Sequence, residues 1–259
     1  MLGFRARRRR RLMMRPLAPE WKAIVRRRVP YYHFLLPELK QHLQSLINVF
    51  LDEKLFEGCG GLALTDEMRL IIAAQACILL LGGQSDMFPK LRTILVYPHG
   101  YIAPHSMLRP DGTVSEGTQA RTGESWPFGN VVLSWHDVAR DALAIQNGRN
   151  IVFHEFAHQL DAESGPAPGA PVLPAQAGYS DWARVLGREF EILSDAVKAG
   201  IPTLLDPYGA TSPAEFFAVS TECFFLKPGE LLSRHCELYD QLKLYYRQDP
   251  VLYNVGPRP

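Results

Sequence analysis

Leu39, Leu43, Leu46, Ile47, Phe50, Leu51 and Leu55 recur at steps of three and four residues, the spacing that lines one face of an α-helix. This predicts a helix within Tyr31–Phe56, opened by Leu36-Pro37 and ended by Gly58-Cys59-Gly60-Gly61. Thr65-Asp66-Glu67-Met68 then reads as the N-terminus of a second, more apolar helix through Leu81, stopped by Gly82-Gly83. Next the period changes. Leu91–Tyr97 is rich in β-formers and halts at Pro98, and Val131–Trp135 gives a second strand. Between them, residues 104–130 carry Pro, Gly, Ser and Thr throughout and read as loop with short strands at most. Asp137–Gln146 predicts a short helix. Further helices are expected over Asp181–Ala199, from Ser212-Pro213 through Phe225, and over roughly Glu230–Tyr246. The fold class expected is α+β, predominantly helical, with a small sheet.

Composition adds two constraints. At 259 residues with 47% hydrophobic and 21% charged positions, the chain can bury a substantial core. Its formal charge of +1 hides an asymmetry, because residues 1–28 hold 11 Lys/Arg and one acid, Glu20. The rest is acidic, so the body lacks the basic footprint that nucleic-acid binding needs. Residues 1–28 read as a basic, disordered leader, and residues 29–259 as the folded domain. Cys59, Cys77, Cys223 and Cys236 are widely spaced, which fits free thiols in a reducing compartment. With no secretory h-region and no apolar run long enough to span a membrane, the expected location is cytoplasmic.

The chemistry concentrates in Asn150-Ile151-Val152-Phe153-His154-Glu155-Phe156-Ala157-His158-Gln159-Leu160-Asp161, whose centre is an H-E-x-x-H pattern. On a helix, residues four apart share a face, so two imidazoles can take two corners of a tetrahedral metal. Glu155 lies beside them as a general base for a metal-bound water. Two histidines on an exposed helix would be the bland alternative. Here the flanks are apolar, and buried histidines beside a buried carboxylate require partners.

A catalytic zinc takes a third protein ligand. A histidine six residues past His158 would supply one, but that position is Ser164. Asp161, one turn on, suits a supporting hydrogen bond. Glu215 and Glu222 lie two turns apart on one helix face, and spacing does not choose between them. Glu215 also completes Ser212-Pro213-Ala214-Glu215, an S-x-x-E capping box, which competes with a ligand role.

The H-E-x-x-H segment, the later Tyr208-Gly-Ala-Thr-Ser-Pro-Ala-Glu215-Phe-Phe-Ala-Val and the upstream Val-Val-Leu-Ser-Trp135 resemble the Mlc titration factor A family of bacterial zinc peptidases. The resemblance covers about residues 30–250 and leaves the Arg-rich leader outside. It implies a zincin-like metallopeptidase fold, similar to the catalytic domain of anthrax lethal factor, with the sheet beside the metal-binding helix. It also implies one Zn2+ per chain held by His154, His158 and Glu215, with Glu155 and Tyr208 as catalytic residues. Glu155 is the base in that scheme, and Tyr208 stabilises the tetrahedral intermediate. Expected partners are a peptide or protein substrate, including aminopeptidase-like cleavage, and a transcriptional repressor of the Mlc type. The alternative is a non-catalytic protein that sequesters such a repressor of sugar uptake.

Overall fold

The computed structural model describes residues 2–83, 85–108, 114–121, 123–126, 129–165, 168–173 and 178–253. The basic N-terminal stretch forms two helices, α1 (Leu2–Met14) and α2 (Pro19–Arg28). A short helix α3 (Tyr31–Phe34) leads into α4 (Pro37–Glu53), strand β1 (Leu55–Gly58) and the buried helix α5 (Asp66–Leu79). Strands β2 (Thr93–Tyr97), β3 (Tyr101–Leu108), β4 (Val114–Arg121), β5 (Gly123–Trp126) and β6 (Asn130–Ser134) follow. The remainder is helical: α6 (Trp135–Leu143), α7 (Ile151–Asp161), α8 (Tyr179–Lys198), α9 (Pro213–Leu226), α10 (Pro228–Arg234) and α11 (Cys236–Tyr246). The predominantly helical α+β expectation holds.

One sheet runs in the order β1-β2-β6-β5, with β1, β2 and β6 parallel and β5 antiparallel at the edge. A crossover through α5 connects β1 to β2, as parallel neighbours require. β3 and β4 pair separately as an antiparallel hairpin. Gly129 makes the approach to β6 possible. It sits at φ +84°, and a Cβ there would come within 2.6 Å of the Lys90 carbonyl.

Three differences from expectation have physical causes. The helix expected through Phe56 ends at Glu53, because Leu55 N–H donates to Arg92 O at 3.0 Å and starts β1. The apolar periodicity carries on into the strand, so sequence alone does not reveal the switch. Lys54 marks the junction: its buried ammonium donates to Phe88 O at 2.8 Å and Leu91 O at 2.7 Å, and burial pulls its pKa down to about 8. The single helix expected over Glu230–Tyr246 is broken at His235, whose Nδ1 lies 2.7 Å from buried Glu189 Oε2.

The third concerns residues 1–28, expected as a disordered leader. Within them, Leu2–Met14 and Pro19–Arg28 are helices held to the body by ion pairs. Arg5 Nη2 meets Glu53 Oε2 at 2.9 Å, Arg8 Nη2 meets Asp52 Oδ1 at 2.6 Å, and Arg9 pairs with both Glu53 and Asp86. In α2, Arg27 and Arg28 share Glu67. The acids that neutralise the leader lie far along the sequence, so a local reading of charge misses them.

The core closes around α7. Its Phe156 ring stands 4.9 Å from Phe88, and Phe153 lies 5.5 Å from Phe225 of α9 and 6.0 Å from Tyr31 of α3. α9 is buried all round from Phe216 to Leu226, as expected of a helix apolar on every side. α7 therefore packs against β5 and β6 of the sheet and against α5 and α9. Among the described residues, no helix is long and apolar enough to cross a membrane.

Candidate metal centre

Asn150 starts α7, its side-chain oxygen accepting from Phe153 N–H at 3.0 Å. The same residue is gripped twice more. Its backbone N–H donates to Glu222 Oε1 at 2.6 Å, and its amide nitrogen donates to Gln75 Oε1 at 2.6 Å. The next N–H, of Ile151, goes to Asp141 Oδ2 at 3.1 Å. Two carboxylates thus sit at the positive end of the helix, the favourable end for negative charge. This fixes where the following turns point.

His154 and His158 then lie one turn apart, their rings edge to face with centroids 5.0 Å from each other. Ser212 caps α9 by accepting from Glu215 N–H at 3.2 Å, and the Glu215 carboxylate turns toward the histidines. Its Oε2 lies 2.9 Å from His154 Nε2 and 3.3 Å from His158 Nε2. His154, His158 and Glu215 each offer a ligand atom, all within 4.8 Å of one another, a group that can hold a metal ion. Two imidazoles and a carboxylate suit zinc, with a position left over for water.

Glu222, two turns further along α9, does not join this group. Its Oε2 lies 3.0 Å from the other nitrogen of His154, Nδ1. Nδ1 is thereby the natural donor to Glu222, leaving the Nε2 lone pair for a metal. Spacing had left Glu215 and Glu222 interchangeable; the structure puts them on opposite nitrogens of one ring. Asp161 also stays back, accepting from Gly169 N–H at 2.8 Å and so tethering the loop after α7. Ser164 closes a turn onto Asp161 O.

Glu155 is buried in α7, and its Oε2 has no hydrogen-bond partner among the described residues. Burial pushes its pKa up to about 7, against the opposing pull of His154 and His158. Burial also disfavours charge on Glu215, but the two neighbouring histidines outweigh it and hold the carboxyl at about 2. An orphaned carboxylate oxygen beside three converging donors is what a metal and its water would satisfy. Tyr208 lies in the turn before α9, its ring centroid 6.1 Å from that of His154 and its side chain half-exposed. Gly209 lets this turn pack tightly: a Cβ there would stand 3.2 Å from Leu193 Cδ2 and 3.3 Å from Val219 Cβ. Gln75, Asp141 and Glu222 as supports of α7 escaped the sequence reading. Only the polar Gln75 inside an apolar run hinted at them.

The family model of the glucose-regulated metallo-peptidases M90 matches residues 4–247. The chain belongs to this family. The M90 match takes in nearly all of the arginine-rich leader, which the resemblance had left out. Among similar proteins, an uncharacterized protein of Synechocystis sp. is 44% identical over 247 residues, covering 95% of this chain and 90% of its own. The Mlc titration factor A of Pectobacterium atrosepticum is 33% identical across 89% of this chain and 86% of its own. That of Serratia proteamaculans is 32% identical across 82% and 81%. This is a metallopeptidase family, and a metal ion is implied.

Proposed function

We propose that the chain is a zinc-dependent peptidase that hydrolyses peptide bonds. The observation that carries this is the convergence of His154, His158 and Glu215 beside a buried oxygen of Glu155 that has no hydrogen-bond partner among the described residues. The three converging residues would hold one zinc. When bound, the ion supplies Lewis-acid polarisation of a carbonyl and acidifies a water.

The chain's own groups do the rest. Glu155 is placed to take the water's proton and pass it to the leaving amine. Its raised pKa of about 7 favours both halves of that exchange near neutral pH, and a neighbouring cation would draw the value down. Glu222 holds His154 in the tautomer that presents Nε2. Tyr208, beside His154, would donate to the oxyanion as it develops. β5 ends the sheet next to α7, and its outer edge suits an extended peptide paired through main-chain hydrogen bonds.

The test is direct. Purified protein should carry about one zinc per chain. A chelator should abolish peptide hydrolysis, and Glu155→Gln should keep the metal while losing about a hundredfold or more in rate. Metal-free protein that hydrolyses peptides undiminished would end the proposal. Comparing free with blocked peptide N-termini reads out the aminopeptidase-like mode.

The second reading is a regulatory one, supported by the relatives named Mlc titration factor A. In it the chain, in the cytoplasm, binds a transcriptional repressor of the Mlc type. Glu155→Gln separates the two roles, since repressor capture should survive the loss of hydrolysis.

A further inference from the structure

The fold sorts the N-terminal cations into two groups. Arg5, Arg8, Arg9, Arg27 and Arg28 each meet a carboxylate of the body. The other six have no carboxylate partner among the described residues, and three of these, Arg15, Lys22 and Arg26, line one cleft of about 590 Å3. The cleft lies where the end of α1, α2 and the start of α4 come together. Lys40 and His33 extend its basic wall, with the Lys40 ammonium 5.7 Å from the Tyr32 ring centroid and donating to His33 O at 3.1 Å. Among the described residues, no Asp or Glu lines it.

Three uncompensated cations and a fourth held only by a ring and a carbonyl repel one another across a concave surface. A ligand bearing several anionic oxygens relieves that repulsion. Arg15 and Arg26 can fork onto two oxygens each, and Lys22 contributes a point charge. The amides of Gln41 and Gln44 and the Ser45 hydroxyl lie in the same lining. The volume falls within the range of small-molecule sites, so it accommodates more than a single phosphate group.

We propose that this cleft binds a phosphate-type oxyanion, carried either by a soluble phosphorylated molecule or by a lipid headgroup. The site is separate from the His154–Glu215 centre, and the proposal does not rest on peptidase activity.

The test uses the full chain and two double variants at exposed positions. Lys22→Gln/Arg26→Gln strips the cleft, and Arg7→Gln/Arg10→Gln removes cations of α1 that lie outside its lining. Pyrophosphate binding is measured by calorimetry at low salt, and flotation with phosphatidylglycerol vesicles is compared with phosphatidylcholine vesicles. Loss of charge-assisted hydrogen bonds in the cleft variant should weaken binding about tenfold or more, with the control within about twofold. Pyrophosphate binding without flotation supports a soluble ligand. Flotation on phosphatidylglycerol that is lost in the cleft variant supports the headgroup. The proposal is overturned if neither probe binds up to about 10 mM pyrophosphate, a concentration covering weak millimolar sites. It is equally overturned if both variants weaken binding alike, which would mean diffuse charge rather than a site. Melting curves confirm that each variant is folded.

Discussion

Glu222→Gln isolates the support of the metal centre from the centre itself. The replacement keeps the volume and changes one group from charged acceptor to mixed amide. The amide can face only one way: the backbone N–H of Asn150, 2.6 Å from Glu222 Oε1, requires an acceptor, so the oxygen must stay there. The amide NH2 is then forced onto His154 Nδ1, in place of the carboxylate oxygen now 3.0 Å away. Nδ1 must become an acceptor and the ring proton moves to Nε2, the nitrogen beside Glu215. A charge-assisted hydrogen bond is lost and the ring is held in the wrong tautomer, a cost of about 1.5–3 kcal/mol. Zinc affinity should fall about ten- to a hundredfold, the usual scale for residues behind a ligand. Competition against a fluorescent chelator at neutral pH measures it, with thermal unfolding in chelator as the control. Glu222→Ala should in addition cost about 1–3 kcal/mol of stability, since it leaves a buried N–H unpaired. Unchanged zinc affinity in Glu222→Gln would refute the tautomer argument, and a stability loss alone would leave Glu222 a strut between two helices.

Other outcomes follow from the same geometry. Glu155 has its pKa raised to about 7 in the fold against an unfolded value near 4.5, so its ionisation destabilises the native state as pH rises between those values. In chelator, Glu155→Gln should therefore be more stable than wild type by up to about 3 kcal/mol at pH 8, with the gap closing toward pH 4.5; equal denaturation midpoints at pH 8 would contradict it. Tyr208→Phe should keep zinc and fold while kcat drops about a hundredfold with little change in KM, and unaltered turnover would remove Tyr208 from the chemistry. Burial opposes ionisation of Glu53, but Arg9 and Arg5 overcome it and lower its pKa to about 2. Its stabilisation is present above about pH 4.5 and lost as pH falls toward 2, about 1 kcal/mol after allowance for solvent screening. Wild type and Glu53→Gln should therefore converge in acid and in high salt, as urea titrations across pH would show.

What could be read from the sequence was what local chemistry decides. Thr65, Asn150 and Ser212 cap helices through side-chain acceptors three residues from the bonded N–H, so their roles are written within four positions. The H-E-x-x-H face is likewise a property of one helix. What stayed hidden depends on partners remote in the chain. Leu55 is a strand residue because Arg92 is there to pair with it, and the helix after Glu230 breaks where His235 meets Glu189. Glu215 and Glu222 share a face, as the spacing says. Which nitrogen each one faces is set by how α9 lies across α7, and no periodicity encodes that.

The tether of Arg9 carries a consequence for biosynthesis. Its two carboxylate partners lie 44 and 77 residues later in the chain. At translation speeds of about 5–20 residues per second, the second partner is made roughly 4–15 s after the arginine. Until Asp52 and Glu53 are made, roughly 2–9 s after their arginines at the same speeds, the first helix lacks every acid it pairs with, and the run from Arg7 to Arg11 is free to meet any polyanion near the ribosome. Asp52, Glu53 and Asp86 thus act late, neutralising Arg5, Arg8 and Arg9 of a segment that is made without them.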